Sequence, residues 1–233
     1  MCGRAKLPED VSEIKLDLKI HFDEIGDYQP RWNAAPTSKL PVVISTNGSR
    51  TLTLMRWGLI PSWSKDLKIG YSTFNARAES LTTRAAFRGA WQARRRCLVL
   101  ADGYYEWRDA DKQPFAVALA NRGPMTLAGL WENWQSPAGE SIKSFAIITT
   151  TANAVLAPLH ARMPAVIPPD CWGDWLGENS VSESEVKTLL RPLKRKKTLS
   201  CGPQTLDFGC KHATSVYACP TASRPVYWTR CPI

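Results

Sequence analysis

The residues best equipped for chemistry in this chain begin at its second position, in "MCGR". Aminopeptidases favour removing an initiator Met before a small residue, and Cys2 then carries a thiol and a free α-amine on adjacent carbons. The amine titrates near pH ~8 and the thiol near ~8.5, so both have reactive fractions at neutral pH. No internal cysteine offers that pair. Three other short stretches set a reactive group beside an arginine or an aromatic. In "FNARAE" Asn75 precedes Arg77; in "DGYYEW" Glu106 lies between Tyr105 and Trp107; in "LHARMP" His160 is followed by Arg162. A thiol-amine nucleophile needs a proton acceptor and donor, which Glu106 and His160 can supply. Asn75 can bond a developing hydroxyl or oxyanion. Arg4, Arg77 and Arg162 suit phosphates, and tryptophans and prolines suit stacking on bases or wedging between them.

Each residue also has an ordinary structural reading. Cys2 is equally the second residue of a disordered terminus. Asn75 fits a turn, Glu106 a surface carboxylate at a strand end, and His160 a loop histidine. With three histidines in the chain and no conventional zinc spacing, no metal site is expected. Nor is any cofactor expected.

The elements that must position these groups are mostly strands. "LPVVIST" and "TLTLMRWG" flank Asn47-Gly48, a strong hairpin signal. "RCLVLA", "PFAVALA", "MTLAGLW" and "KSFAIITTT" read as further strands between turn-rich segments. Leu7, Val11, Ile14 and Leu18 recur at helical spacing, with Pro8 suited to a first turn. "PPDCWGDWL" and "SESEVKTLLRPL" read as helical. The pattern predicts a single, predominantly β, α+β domain. Its 233 residues, 44% hydrophobic, can bury a sizeable core.

Composition removes some partners and leaves others open. No apolar run reaches the roughly 18 residues that a membrane span needs, and the N-terminus lacks a signal pattern. An intracellular protein with reduced thiols is expected, with no membrane partner. The net charge of +9 is concentrated in the tail. Residues 1–190 hold 22 Lys and Arg against 20 Asp and Glu, whereas 191–233 hold 8 against 1. Bulk charge therefore says little about the main domain, and a nucleic-acid role must rest on particular arginines.

"MCGR", "WNAAPT", "MRWGLIPSW", "FNARAES", "RCLVLADGYYEW" and "LHARMP" occur in this order, and together they resemble the SRAP (SOS-response-associated peptidase) family over residues 2–190. The resemblance implies a mixed α+β domain around a curved, barrel-like β core with peripheral helices. It implies a sensor of abasic sites in single-stranded DNA that bonds to them covalently. Cys2 would be the mature N-terminus. Its amine condenses with the ring-opened sugar aldehyde and its thiol closes a thiazolidine ring, protecting the lesion in the DNA damage response. Asn75 would position the sugar, Glu106 would handle protons, and His160 would assist proton transfer and reversal. Arg4, Arg77 and Arg162 would grip phosphates beside the lesion, with Pro36, Trp63 and Trp107 as base contacts. A monomer is expected, in the cytoplasm and on the nucleoid when bound to DNA. Self-cleavage of Met1, the origin of the family's peptidase name, is a separate expectation.

Two departures stand out. Ala161 replaces a polar residue usual between His and Arg, a change expected to alter loop packing more than chemistry. Residues 191–233 form an atypical basic tail with four of the seven cysteines. DNA that encodes a family-like ending "EEDLELWP", read one base later, can give its segment "KKTLSCGP". A frameshifted, poorly packed tail is the expectation. A zinc site on Cys201, Cys210, His212 and Cys219, or added nonspecific DNA affinity, ranks below it.

Two other function classes remain open on sequence alone. N-terminal-nucleophile hydrolases, such as glutamine amidotransferases, also begin Met-Cys-Gly, but here Arg4 follows and "FRGAW" lacks the Asp of their glutamine pocket. A Cys-His peptidase using Cys2 and His160 belongs to the same class. The other is a non-covalent single-strand DNA reader built on the arginines and tryptophans.

Overall fold

A computed structural model describes residues 2–193, 199–203, 216–218 and 227–229. Alternating apolar residues become strands where the sequence predicts them. β1 (Arg4–Lys6), α1 (Ser12–Asp17) and the short β2 (Phe22–Asp23) lead into a hairpin of β3 (Lys39–Thr46) and β4 (Ser49–Trp57). Its turn residues Asn47 and Gly48 both take positive φ, 52° and 79°, as a two-residue primed turn requires. Next come β5 (Asn75–Arg77), α2 (Ala85–Gln92), β6 (Arg96–Ala101), β7 (Gly103–Trp107) and β8 (Pro114–Leu119). The long strands β9 (Met125–Gln135) and β10 (Ser141–Thr151) precede β11 (Arg162–Pro164), α3 (Trp172–Leu176), α4 (Glu183–Thr188) and β12 (Leu199–Pro203).

β10, β9, β6, β3 and β4 pair antiparallel in that order. A short parallel pairing, Ser144 with Arg56 and Phe145 with Trp57, joins the last of these strands to the first. The result is a closed five-stranded barrel, the barrel-like α+β core expected from the resemblance. Closure leaves few strand edges, and β10 uses its remaining length to hold β5 on one side and β11 on the other. A second sheet, in the order β1, β7, β8, β12, packs against the barrel.

The two-residue period of the strands divides the core in two. Val43, Leu98, Leu100, Ala128, Leu130, Ala146 and Ile148 face a cluster shared with Ile14, Phe87, Trp91, Trp175 and Val186 of the helices. The alternate residues Leu40, Val42, Cys97, Val99, Leu127, Phe145 and Ile147 face a second cluster with Ala5, Tyr104, Phe115 and Val117 of the second sheet. Cys2 belongs to this second cluster.

The helices are shorter than their periodicity suggests. α1 begins at Ser12 rather than at Pro8, whose carbonyl instead accepts from the Tyr28 hydroxyl at 2.7 Å. It ends before Lys19, which adopts a positive φ of 48°. "PPDCWGDWL" forms a 3-10 turn, Pro169–Cys171, running into α3, which stops at the left-handed Gly177. α4 starts with a capping box between Ser182 and Glu185. In the tail, β12 adds antiparallel to β8, from Leu199 opposite Leu119 to Pro203 opposite Phe115. Val216–Ala218 and Tyr227–Thr229 pair with each other. Cys210, His212 and Cys219 lie outside the described residues.

Candidate functional site

Cys2 lies just before β1, which is held on both sides. It pairs with β7 (Arg4 opposite Tyr105), and Ala5 exchanges two backbone bonds with Ala34 of "WNAAPT" at 2.9 and 2.8 Å. This places the cysteine in the apolar cluster, 1% exposed, rather than in a loose terminus. On β7, the alternation that turns Tyr104 into the same cluster also puts Glu106 on that face, 4% exposed. Burial pushes the Cys2 thiol well above the ordinary cysteine range, and the neighbouring Glu106 carboxylate adds to the shift. A backbone N–H of Arg4 donated toward the sulfur acts in the opposite direction. At neutral pH the thiol is therefore held protonated.

Asn75 arrives from a different part of the chain. The connection from β4 is pinned where Gly58 (φ +122°) meets Gly70; a Cβ on Gly58 would lie 2.5 Å from the Gly70 carbonyl. Thr73 Oγ1 donates to Leu59 O at 2.6 Å, and Ile147 N donates to Phe74 O at 3.0 Å. Parallel pairing with β10, Ile147 opposite Asn75, then delivers the side chain to Cys2. Its Nδ2 donates to the Cys2 carbonyl at 2.7 Å. That bond fixes the amide orientation and leaves Oδ1 buried with no partner among the described residues. An acceptor in that position suits a hydroxyl or ammonium of a bound molecule.

His160 closes the turn after β10. Asn153 Oδ1 accepts from Val155 and Leu156 N–H at 3.1 and 3.0 Å, while buried Leu156 and Leu159 anchor the turn in the Cys2 cluster. The Arg162 N–H donates to His160 Nδ1 at 2.9 Å. This leaves the ring's proton to Nε2 in the neutral form. Ala161 is exposed, and its carbonyl accepts from Ala152 N at 3.0 Å, so the departure from a polar residue leaves the loop closure to the backbone.

The arginines differ in their surroundings. Arg77 is exposed on β5 and Arg4 is half-buried on β1. Arg162 is engaged: its two terminal nitrogens donate to Glu79 at 2.7 and 2.9 Å, and one of them also to Thr149 O at 2.6 Å. Pro36 and Trp107 are half-buried, while Trp63 is exposed on the 58–74 connection. Thus Cys2, Asn75 and Glu106 come together directly, while His160 and Thr149 are joined to Arg162 on β11, on the other side of β10 from β5. Sequence reasoning missed Glu79 and Thr149. Glu79 was visible in the motif "FNARAE", two residues after Arg77. Exposed Trp32, with the Lys6 ammonium 4.3 Å from its ring centre, was also missed, although it stands in "WNAAPT". Among the described residues no group of three His, Cys, Asp or Glu side chains could hold a metal ion. No helix there is long and apolar enough to cross a membrane.

This arrangement can be compared with known proteins. A family model described as SOS response associated peptidase (SRAP) matches residues 1–204. The chain belongs to the SRAP family. Among its SRAP relatives, the abasic site processing protein YoqW of Bacillus subtilis is 35% identical over 196 residues, covering 82% of this chain and 87% of that one. The abasic site processing protein HMCES of Xenopus tropicalis is 32% identical over 199 residues, covering 72% of this chain and 59% of that one. The SRAP fold recurs in a crystal structure of a Bacteroides thetaiotaomicron protein with a TM-score of 0.79 at 24% identity, covering 89% of this chain and 94% of that one.

Proposed function

We propose that the protein processes abasic sites in single-stranded DNA by bonding to them through Cys2 after Met1 is removed. The observation that carries this reading is the bond from buried Asn75 to the Cys2 carbonyl, with the Asn75 Oδ1 left open beside it. The names of the relatives supply the substrate class. The free amine of Cys2 attacks the aldehyde carbon of the ring-opened sugar, and loss of one water gives an imine. Sγ then adds to the same carbon, and the thiol proton passes to the nitrogen, closing a thiazolidine.

The thiol's surroundings set the order of these steps. A thiol held protonated is a poor first nucleophile, so the amine acts first. Glu106, close enough to raise the thiol's pKa, is the group to take the thiol proton during closure and return one to the nitrogen. Asn75 holds the sugar hydroxyl. His160, whose Nδ1 accepts from the Arg162 N–H, serves proton transfer and reversal of the crosslink through Nε2. Arg4, Arg77 and Arg162 face the phosphates, with Pro36, Trp63 and Trp107 as base contacts. The protein acts as a monomer in the cytoplasm, on the nucleoid when bound to DNA. Self-cleavage of Met1 and the out-of-frame origin of residues 191–233 belong to the same proposal.

The test is a denaturing gel of purified protein with single-stranded DNA carrying one abasic site, beside intact DNA and Cys2→Ser, with the mature N-terminus read by mass spectrometry. A heat-stable shifted band that needs both the lesion and Cys2 is expected. Its absence, from folded protein beginning at Cys2, would refute the proposal and favour a hydrolase or a non-covalent reader.

A further inference from the structure

Of the three arginines at the site, Arg162 alone is in an ion pair among the described residues. Its partner, Glu79, meets the guanidinium end-on with both carboxylate oxygens, at 2.7 and 2.9 Å. This is the geometry in which an arginine fork receives a phosphate. We propose that Glu79 is a built-in competitor for that fork. It must be displaced before a DNA phosphate can use Arg162, and it thereby sets how far the protein discriminates a lesion-bearing strand from an intact one. The inference rests on the abasic-site reading above.

Three observations carry it. First, the pair is asymmetric in burial. The Arg162 side chain is 17% exposed and Glu79 is 55% exposed, so the acid can swing into solvent while the arginine stays. Second, Arg162 does not depend on Glu79 for its place. Its terminal nitrogen also donates to Thr149 O at 2.6 Å, and its backbone is held by the pairing of β11 with β10. Third, Arg162 Nε is buried with no hydrogen-bond partner among the described residues, so the guanidinium keeps a donor in reserve. Such an unmet donor at a site is best explained by an acceptor that arrives with the ligand. The bonds from Arg162 also hold the Glu79 carboxyl below its usual range, so the competitor is fully charged at neutral pH.

The consequence is a difference between substrates. An intact strand must displace Glu79 using non-covalent contacts alone. A strand with an abasic site is retained by the bond at Cys2 once it has entered, so the displacement cost matters less. Specificity of this kind arises from penalising the wrong ligand.

The experiment uses the full chain with its N-terminus verified. Fluorescence anisotropy measures binding to an undamaged single-stranded oligonucleotide across a salt series, and denaturing gels give the crosslinking rate with the abasic one. Glu79→Gln is expected to bind the undamaged strand roughly three- to fivefold tighter, the equivalent of losing one exposed ion pair. Its affinity should fall more steeply with salt. The end-point crosslink yield on the same gels should change by less, so the ratio between damaged and undamaged DNA narrows. In an Arg162→Gln background, Glu79→Gln should give no gain. A gain there would mean a general charge effect, and unchanged or weaker binding by Glu79→Gln alone would mean that Glu79 is a strut; either overturns the proposal. If the unaltered protein forms no crosslink, the abasic-site reading fails, while the anisotropy series still decides whether Glu79 competes for Arg162.

Discussion

Two arginine–glutamate pairs in this molecule make the same number of bonds and are buried differently. Arg50 on β4 donates to Glu178 with Nε and a terminal nitrogen at 2.7 and 2.6 Å, and its other terminal nitrogen reaches Leu18 O at 2.7 Å. Arg162 likewise combines two bonds to Glu79 with one to a backbone carbonyl. The side chains of the Arg50 pair are 14% and 16% exposed, on the side of the barrel where α1 and the α3–α4 connection pack. At the site, the acid is 55% exposed. The first pair is a fastening, since removing either partner strands a charge away from water. The second has one member free to leave. A two-bond fork, side-on at Arg50 and end-on at Arg162, thus serves stability in one place and exchange in the other, and solvent access to the carboxylate decides which.

That contrast can be broken most sharply by removing each acid's charge. Glu178→Gln should lower unfolding stability by about 3 kcal/mol, read from urea denaturation, because it leaves Arg50 largely buried and uncompensated. Its crosslinking rate per folded molecule should not change. Arg50→Lys, which keeps the charge but loses the fork, should cost about half as much. Glu79→Gln should move stability by less than ~1 kcal/mol, as for an exposed pair. A stability loss for Glu79→Gln equal to that of Glu178→Gln would erase the distinction between the two pairs. Acid sharpens it further. Both carboxyls are held below their usual range: Glu79 by its bonds from Arg162, and Glu178 by bonds from Arg50 and Ser45 that outweigh the opposing effect of burial. Their stabilisation is present above the unfolded carboxyl range and is lost as pH falls through the folded values. Glu178→Gln and Glu79→Gln should therefore each flatten the acid limb of stability.

A subtler check concerns burial without function. Cys2 and Cys97 share one cluster, and burial pushes both thiols far above the ordinary cysteine value of ~8.5. The unfolded chain releases these protons first, so stability should fall as pH rises above that value. Each thiol contributes a loss of up to ~1.4 kcal/mol per pH unit. Cys97→Ala should reduce the alkaline slope yet leave the crosslink band, whereas Cys2→Ala should reduce the slope and abolish the band. Both thiols in the folded protein should react with iodoacetamide slower than unfolded cysteine, by on the order of a hundredfold or more. What separates them is company: Cys97 sits near the start of β6 against Gly129, while Cys2 has Glu106 and Asn75 beside it.

Much of this was legible before any coordinates. The strand alternation, the Asn47-Gly48 turn and the four reactive stretches are local patterns, and local patterns follow from backbone geometry with periods of two or four residues. Glu79 stood in plain view in "FNARAE" but was not singled out, because its meaning depends on Arg162, 83 positions away. α1 is shorter than its hydrophobic spacing suggests because Tyr28 claims the Pro8 carbonyl and Lys19 turns left-handed, neither of which that spacing records.

The sequence alone determined the chemical inventory: a cysteine able to expose thiol and amine together, a carboxylate, an amide, an imidazole and three arginines, carried on strands with two distinguishable faces. Only the tertiary structure decided that β4 meets β10 to close the barrel, that Cys2 is buried rather than frayed, and that Asn75 reaches it across 73 positions of chain. The physical reason is that burial and long-range pairing are properties of the packed whole. A side chain's access to water, which sets the pKa of Cys2 and separates Glu79 from Glu178, depends on which distant segments lie over it.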